Sequence, residues 1–73
     1  MDFIVVDTEG TRELREIAIA NSAGELVYEA FNQEYPEHTS RAISTSSKPL
    51  KIILLDFMAI ARSKLLVFHH AVE

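Results

Sequence analysis

The sequence is organised around residues 3–10, FIVVDTEG, near the start of a chain of 73 residues. The first four are apolar and mostly β-branched, which predicts a β-strand that is buried on both faces. Asp7 and Glu9 follow at a spacing of two, so an extended backbone places both carboxylates on the same face of the strand. Gly10 then ends the strand.

The two carboxylates of this stretch carry like charges at close range. Such a pair repels by roughly 1 kcal/mol in water and about 4 kcal/mol near a protein surface. A cation would relieve the repulsion, and Mg²⁺ and Mn²⁺ prefer oxygen ligands. The sequence therefore predicts that Asp7 and Glu9 share a divalent cation, although the pair alone is equally consistent with two solvated side chains.

Composition and length limit what the chain can be. Seventy-three residues are enough for one small domain. The chain has no cysteine, which excludes disulfides and thiolate zinc sites and is consistent with a cytoplasmic protein. No signal-peptide pattern or membrane-length apolar run is present, so we expect no membrane partner. A net charge of −4 argues against a broad basic surface for nucleic acid, but not against an enzyme that acts on a nucleic-acid end.

Two further strands are predicted in the first half of the chain. Residues 15–21 alternate large and small apolar side chains, and residues 26–31 again show alternation. Residues 21–24, NSAG, have strong turn chemistry. With the first strand, these segments predict an antiparallel three-strand meander.

The second half of the chain predicts a connection, a helix and a fourth strand. Residues 32–47 are polar and interrupted by proline, which is typical of a surface connection. Ser47 is the predicted N-cap of a helix, with Pro49 in its first turn. A wide buried stripe is predicted at the apolar positions Leu50, Ile53, Leu54, Phe57, Met58 and Ala61.

Residues 65–68, LLVF, predict a fourth buried strand. Because a helix precedes it, we expect this strand to lie parallel to the first strand in the sheet. His69 and His70 are expected to leave this strand close to Asp7, because parallel strands end at the same edge of a sheet. The fold class is therefore α/β (α+β): a three-strand meander, a crossover helix and a fourth, parallel strand.

Two motifs in this order resemble those of the DEDD (DnaQ-like) 3′–5′ exonucleases, which have an RNase H-like fold. Asp7-Thr8-Glu9 is similar to the first motif. Residues 66–73, LVFHHAVE, resemble the start of the second motif, with His69 at the family histidine and His70 in place of an asparagine. The metal-binding aspartate of that motif would follow Glu73. The resemblance implies that residues 1–73 are the N-terminal part of a single, incomplete exonuclease-like domain.

The resemblance also implies roles for individual residues. Asp7 would bind two Mg²⁺ or Mn²⁺ ions, and Glu9 would bind one and orient the attacking water. Gly10 and Thr11 would contact the terminal nucleotide through backbone amides, and His69 would contact the substrate. The partner would be the 3′ end of DNA or RNA. Two of the four metal carboxylates and the general base have no counterpart here, so we expect this chain to be inactive alone.

Two other functions remain open from the sequence. The chain is alternatively a non-catalytic RNase H-like interaction module that dimerises or binds a partner chain, because an exposed sheet edge and an uncovered apolar face favour association. A metal-dependent hydrolase of another RNase H-like group is the third possibility.

Overall fold

The computed structural model describes residues 2–10, 12–34 and 47–71. These residues form one helix and a mixed five-stranded sheet with the strand order β4-β3-β2-β1-β5. The elements are β1 (Phe3–Glu9), β2 (Glu16–Asn21), β3 (Leu26–Asn32), β4 (Ser47–Lys48), α1 (Leu50–Ala61) and β5 (Leu65–Ala71). β1, β2 and β3 are antiparallel neighbours, whereas β5 is parallel to β1 and β4 is parallel to β3.

The predicted meander and the parallel strand after the helix are both confirmed, and the fold is of the α+β class. The β2–β3 turn forms where its sequence indicates. Asn21 accepts hydrogen bonds on Oδ1 from the backbone amides of Ala23 and Glu25, both at 3.0 Å. Gly24 lies at φ +85°, a left-handed conformation that glycine adopts without steric cost.

One face of the sheet carries the hydrophobic core. Helix α1 covers this face, and the buried cluster consists of Ile4, Val6, Ile17, Ile19, Ala30 and Ile53. Because side chains alternate along a strand, Phe3 and Val5 point to the other face, where they are only partly buried. The prediction that β1 is buried on both faces is therefore wrong for the described residues, in which a single helix covers a single face.

The helix begins differently from the prediction. Ser47 is not its N-cap: Ser47 and Lys48 extend the sheet as β4, opposite Phe31 and Asn32. Pro49 occupies the N-cap position without a side-chain hydrogen bond, and its carbonyl accepts the first helical bond from Ile53 at 3.1 Å. Proline has a fixed φ, here −63°, which is compatible with the start of a helix. Because Pro49 is the N-cap, Ser47 lies before the helix and is extended, as part of β4.

The predicted buried stripe of the helix is confirmed in part. Ile53 is buried, and Phe57 and Ala61 are partly buried against the core. Leu54 and Met58, by contrast, are 47% and 65% exposed. Residues 50–61, LKIILLDFMAIA, are apolar around most of the helix, so periodicity alone does not define the packed face. A single sheet face can bury only the side chains that point directly at it.

The last strand differs from its prediction in length and in burial. β5 includes His69 and His70 and ends at Ala71, whereas the histidines were expected to follow the strand. β5 lies at the edge of the sheet, and Leu65, Val67 and Phe68 are exposed. The continuous apolar run predicts a buried strand, but in the described residues no neighbour covers its outer side.

The predicted surface connection is described only at its ends. Asn32 belongs to β3 and is buried, contrary to its prediction as part of a polar loop. Its Nδ2 donates to the Leu14 carbonyl at 2.9 Å, and its Oδ1 accepts from the Glu34 amide at 3.0 Å. These hydrogen bonds offset the cost of burying an amide side chain. Residues 35–46 lie outside the described part of the chain.

A polar cluster of three side chains joins the helix to β3 and β4. Tyr28 Oη donates to Asp56 Oδ2 at 2.7 Å, and Lys48 Nζ contacts the same oxygen at 3.1 Å. Lys48 Nζ also lies 4.9 Å from the centre of the Tyr28 ring. The hydrogen bonds from Tyr28 and Lys48 lower the pKa of Asp56, while burial and the Asp56 hydrogen bond raise the pKa of Tyr28.

We expect this cluster to make stability depend on pH. Because the pKa of folded Asp56 lies below its ordinary value of 3.8, its contribution is complete above that pH and is lost as the pH falls through the lower, folded value. Asp56→Asn should therefore lose less stability on acidification than the unmodified chain. Urea unfolding from neutral to acidic pH measures this, with Glu34→Gln, which removes an exposed carboxylate elsewhere, as the control. An unchanged acid dependence in Asp56→Asn would contradict the assignment.

Candidate metal site

The carboxyl ends of β1 and β5 form the centre of the candidate site. The two strands are parallel and in register, so Asp7 lies opposite His69 and Glu9 lies opposite Ala71. Ligand sites of α/β sheets lie beyond the carboxyl ends of parallel strands. The prediction that His69 lies beside Asp7 is confirmed.

Asp7 and His69 are in direct contact. His69 Nδ1 lies 3.0 Å from Asp7 Oδ1, although the two residues are 62 positions apart in the sequence. Both side chains are accessible, with 54% of Asp7 and 71% of His69 exposed. An exposed pair of this kind contributes less than about 1 kcal/mol to stability. The contact is therefore too weak to explain the fold, but it orients the carboxylate of Asp7.

Further carboxylates lie on the same face of the sheet. Glu16 lies opposite Glu9 across the β1–β2 pair, and Glu29 lies opposite Ala18, which itself pairs with Asp7. Because paired residues of neighbouring strands share a face, the four acidic side chains point to the side away from α1. They line a recess of about 30 Å³ together with Ile17 and Ala18, which is room for a small ion or one to two waters.

The sequence pattern alone does not place the acidic residues of β2 and β3 in the site. The missing information is the register: Glu16 joins the site only because residue 16 pairs with residue 9. In an antiparallel hairpin that register depends on the loop of residues 10–15, whose conformation the sequence pattern does not define.

The donor chemistry of the site suits a hard divalent cation, because Asp7 and Glu9 offer carboxylate oxygens on one face. Within residues 2–10, 12–34 and 47–71, no group of three or more histidine, cysteine or acidic side chains is placed to hold a metal ion.

The loop that follows β1 lies next to the candidate site. Gly10 is buried and lies at φ +129°, a conformation that side-chain-bearing residues rarely adopt. The amide of Arg15 donates to the Glu9 carbonyl at 2.9 Å and closes the loop. The role of Gly10 in substrate binding stays a prediction. Thr11, the other predicted contact with the nucleotide, lies outside the described residues.

Comparison with known proteins identifies no relative: no protein-family model, curated protein or solved structure matches the chain. The likeness to DEDD exonucleases therefore depends on the sequence motifs alone, and the RNase H-like assignment stays a prediction. No helix in the described part of the chain has the length and apolar character needed to span a bilayer.

Proposed function

We propose that residues 1–73 form the first part of an RNase H-like 3′–5′ exonuclease domain that removes nucleotides from the 3′ ends of DNA or RNA. The observation that supports this most is the 3.0 Å contact between Asp7 Oδ1 and His69 Nδ1. It brings together the two segments that resemble the first and second motifs of the family.

Asp7 and Glu9 are the proposed metal ligands. Both lie on the face opposite α1, and Asp7 is accessible to an ion from solvent. Glu16 and Glu29 line the same recess and add to its negative potential, which attracts cations. When bound, Mg²⁺ or Mn²⁺ supplies positive charge that stabilises the scissile phosphate and activates the attacking water.

His69 is proposed to position Asp7 and to contact the substrate. Its ring contacts one carboxylate oxygen of Asp7, Oδ1, and the second oxygen is the one proposed to bind the ion. Most of the imidazole is exposed, so its second nitrogen is accessible to a sugar hydroxyl, from which it can accept a hydrogen bond. The backbone amides of Gly10 and Thr11 are the proposed contacts with the terminal nucleotide. A further segment or a second chain would supply the remaining ligands and the general base.

A nuclease assay with a labelled 3′ end tests this proposal. We expect the complete domain to shorten a single-stranded oligonucleotide in Mn²⁺ or Mg²⁺, and Asp7→Asn to lose at least about 100-fold in rate, because one of the charges that positions the metal is gone. Glu34→Gln, which also removes one carboxylate but lies away from β1, should retain full activity. Turnover that survives in Asp7→Asn would exclude the metal assignment.

The exposed apolar side chains favour a second candidate, a non-catalytic module that dimerises or binds a partner chain. Leu65, Val67 and Phe68 of β5 are each about half exposed, as are Leu54 and Leu55 of α1. Contiguous apolar surface of this kind marks interaction sites. The two candidates use different surfaces, since the acidic recess lies between β1, β2 and β3.

A further inference from the structure

β5 has the sequence of an interior strand but lies at the edge of the sheet. Residues 65–68, LLVF, are apolar on both faces, a pattern typical of strands that are buried on both faces in the interior of a sheet. Within the described residues β5 pairs only with β1, so the hydrogen-bonding groups on its outer side meet no strand. β5 also lacks the proline, lysine and acidic residues that protect natural edge strands from pairing.

The apolar surface of β5 continues onto the helix. Phe57 and Phe68 are in contact, with ring centres 6.3 Å apart. Leu54 lies beside them, and these three side chains help to line an apolar groove of about 150 Å³. On the face of the sheet that points away from α1, the β5 side chains Leu65 and Val67 are also exposed. We call this surface the β5 strip: Leu54, Phe57, Leu65, Val67 and Phe68.

Charge distinguishes the β5 strip from the rest of the surface. The chain carries a net charge of −4, which opposes association of two copies over most of their surface. The strip contains no charged side chain. Among the described residues at its two ends, Lys64 pairs with Asp2 at 2.8 Å, and Asp7 contacts His69 at 3.0 Å. Within the described residues, two copies can therefore meet through the strip itself without carboxylates of one copy facing those of the other.

We propose that the β5 strip binds a second copy of this chain, with the two β5 strands antiparallel about a two-fold axis at Phe68. This inference rests on the second candidate function above and names its partner. Phe68 is the midpoint of Leu65–Ala71, so this register alone pairs all seven residues of the strand with their counterparts. Each Phe68 then lies opposite its own copy, and each Val67 lies opposite His69 of the second copy.

The pairing joins the two sheets into one continuous sheet with both helices on the same face. It satisfies the outer hydrogen-bonding groups of β5, and it removes Phe68 and Leu54 from water. Aromatic pairs opposite each other across antiparallel strands are stabilising. The acidic recess remains accessible in this arrangement, because it lies on the far side of β1 from the axis.

Sedimentation of two charge variants tests the pairing. We expect the unmodified chain to form dimers. Phe68→Glu should weaken dimerisation at least about tenfold, because two like charges then lie directly opposite each other. Leu26→Glu is the matched control, since Leu26 and Phe68 are each 60% exposed but Leu26 lies on β3. Should Phe68→Glu fail to fold by circular dichroism, Val67→Lys tests the pairing from the other face, because it places a charge in the apolar surface that the second copy would cover.

Cross-linking then tests the register. The chain has no cysteine, so Phe68→Cys introduces a single thiol. A short bis-maleimide should link Phe68→Cys into covalent dimers and leave Leu26→Cys monomeric. A monomeric unmodified chain would overturn the β5 pairing, and so would a dimer unaffected by Phe68→Glu; the latter would leave an interaction module that uses another surface. Neither result bears on the nuclease proposal, which the Asp7→Asn assay tests separately.

Discussion

Replacing Gly10 by alanine is expected to destabilise the chain by at least about 3 kcal/mol, enough to unfold a domain of this size. A Cβ atom at this position would lie 1.9 Å from the backbone oxygen of Glu13. That oxygen belongs to the loop that the Arg15–Glu9 hydrogen bond closes, so it cannot move without opening the loop. The φ of +129° adds the strain of a conformation that L-residues avoid. Urea and thermal unfolding measure the loss.

The same chain supplies a matched control for this prediction. Gly24 also has a positive φ, +85°, but a Cβ there meets nothing within 4 Å. Gly24→Ala should therefore cost only about 1 kcal/mol, from backbone strain alone. A synthetic chain with D-alanine at position 10 would place its methyl group on the other side and should retain most of the stability. Equal losses in Gly10→Ala and Gly24→Ala would show that the close approach to Glu13 has no effect.

Ile53→Ala is expected to cost about 3 kcal/mol, the second large effect. Ile53 is the one fully buried side chain of α1, and it packs into the cluster formed by β1, β2 and β3. Truncation leaves a cavity in the core between the helix and the sheet. A loss of this size lowers the melting temperature of a small domain by more than about 10 °C, which calorimetry detects directly.

Leu55→Ala provides the comparison on the same helix. Leu55 is as large as Ile53 but is about half exposed, so its truncation should change the free energy of unfolding by less than about 0.5 kcal/mol. Similar losses for the two variants would mean that the helix packs through a different face. Leu55 lies outside the β5 strip, so its truncation leaves the proposed dimer surface intact.

Local patterns predicted most of the strand topology. The NSAG turn and the alternation around it predict the β2–β3 hairpin, and Asn21 and Gly24 form the turn with the chemistry expected of them. The helix after a long connection predicts the parallel strand, since a strand reached through a helical crossover returns in the same direction. These features depend on a few neighbouring residues, which the sequence displays directly.

Burial was harder to predict, because it depends on what covers each face. The apolar runs in β1 and β5 predict buried strands, and the pattern in α1 predicts a wide buried stripe. One helix on one side of the sheet nevertheless leaves Val67, Phe68 and Leu54 exposed. The sequence pattern reports which side chains favour burial and not whether a neighbour is present. The short strand at Ser47–Lys48 was missed for a related reason: its parallel pairing with β3 follows a connection of more than ten residues.

Within the candidate site, residues close in sequence were predicted better than those brought together by pairing. The spacing of Asp7 and Glu9 places both on one face of β1, and the parallel strand places His69 beside Asp7. Glu16 and Glu29 enter the site only through the registers of β1–β2 and β2–β3. The register of a strand pair depends on the geometry of the loop between the strands. For β1 and β2 that loop begins with the turn at Gly10.

Paramagnetic broadening by Mn²⁺ shows directly whether Asp7 and Glu9 share a divalent cation. In a ¹H–¹⁵N correlation spectrum, substoichiometric Mn²⁺ should selectively broaden the amides at the ends of β1 and β5, including those of Asp7, Glu9 and His69. An excess of Mg²⁺ should restore them, and Asp7→Asn combined with Glu9→Gln should show no selective broadening. Broadening centred on other acidic residues, or broadening that is unchanged in the double variant, would show that Asp7 and Glu9 do not share the ion.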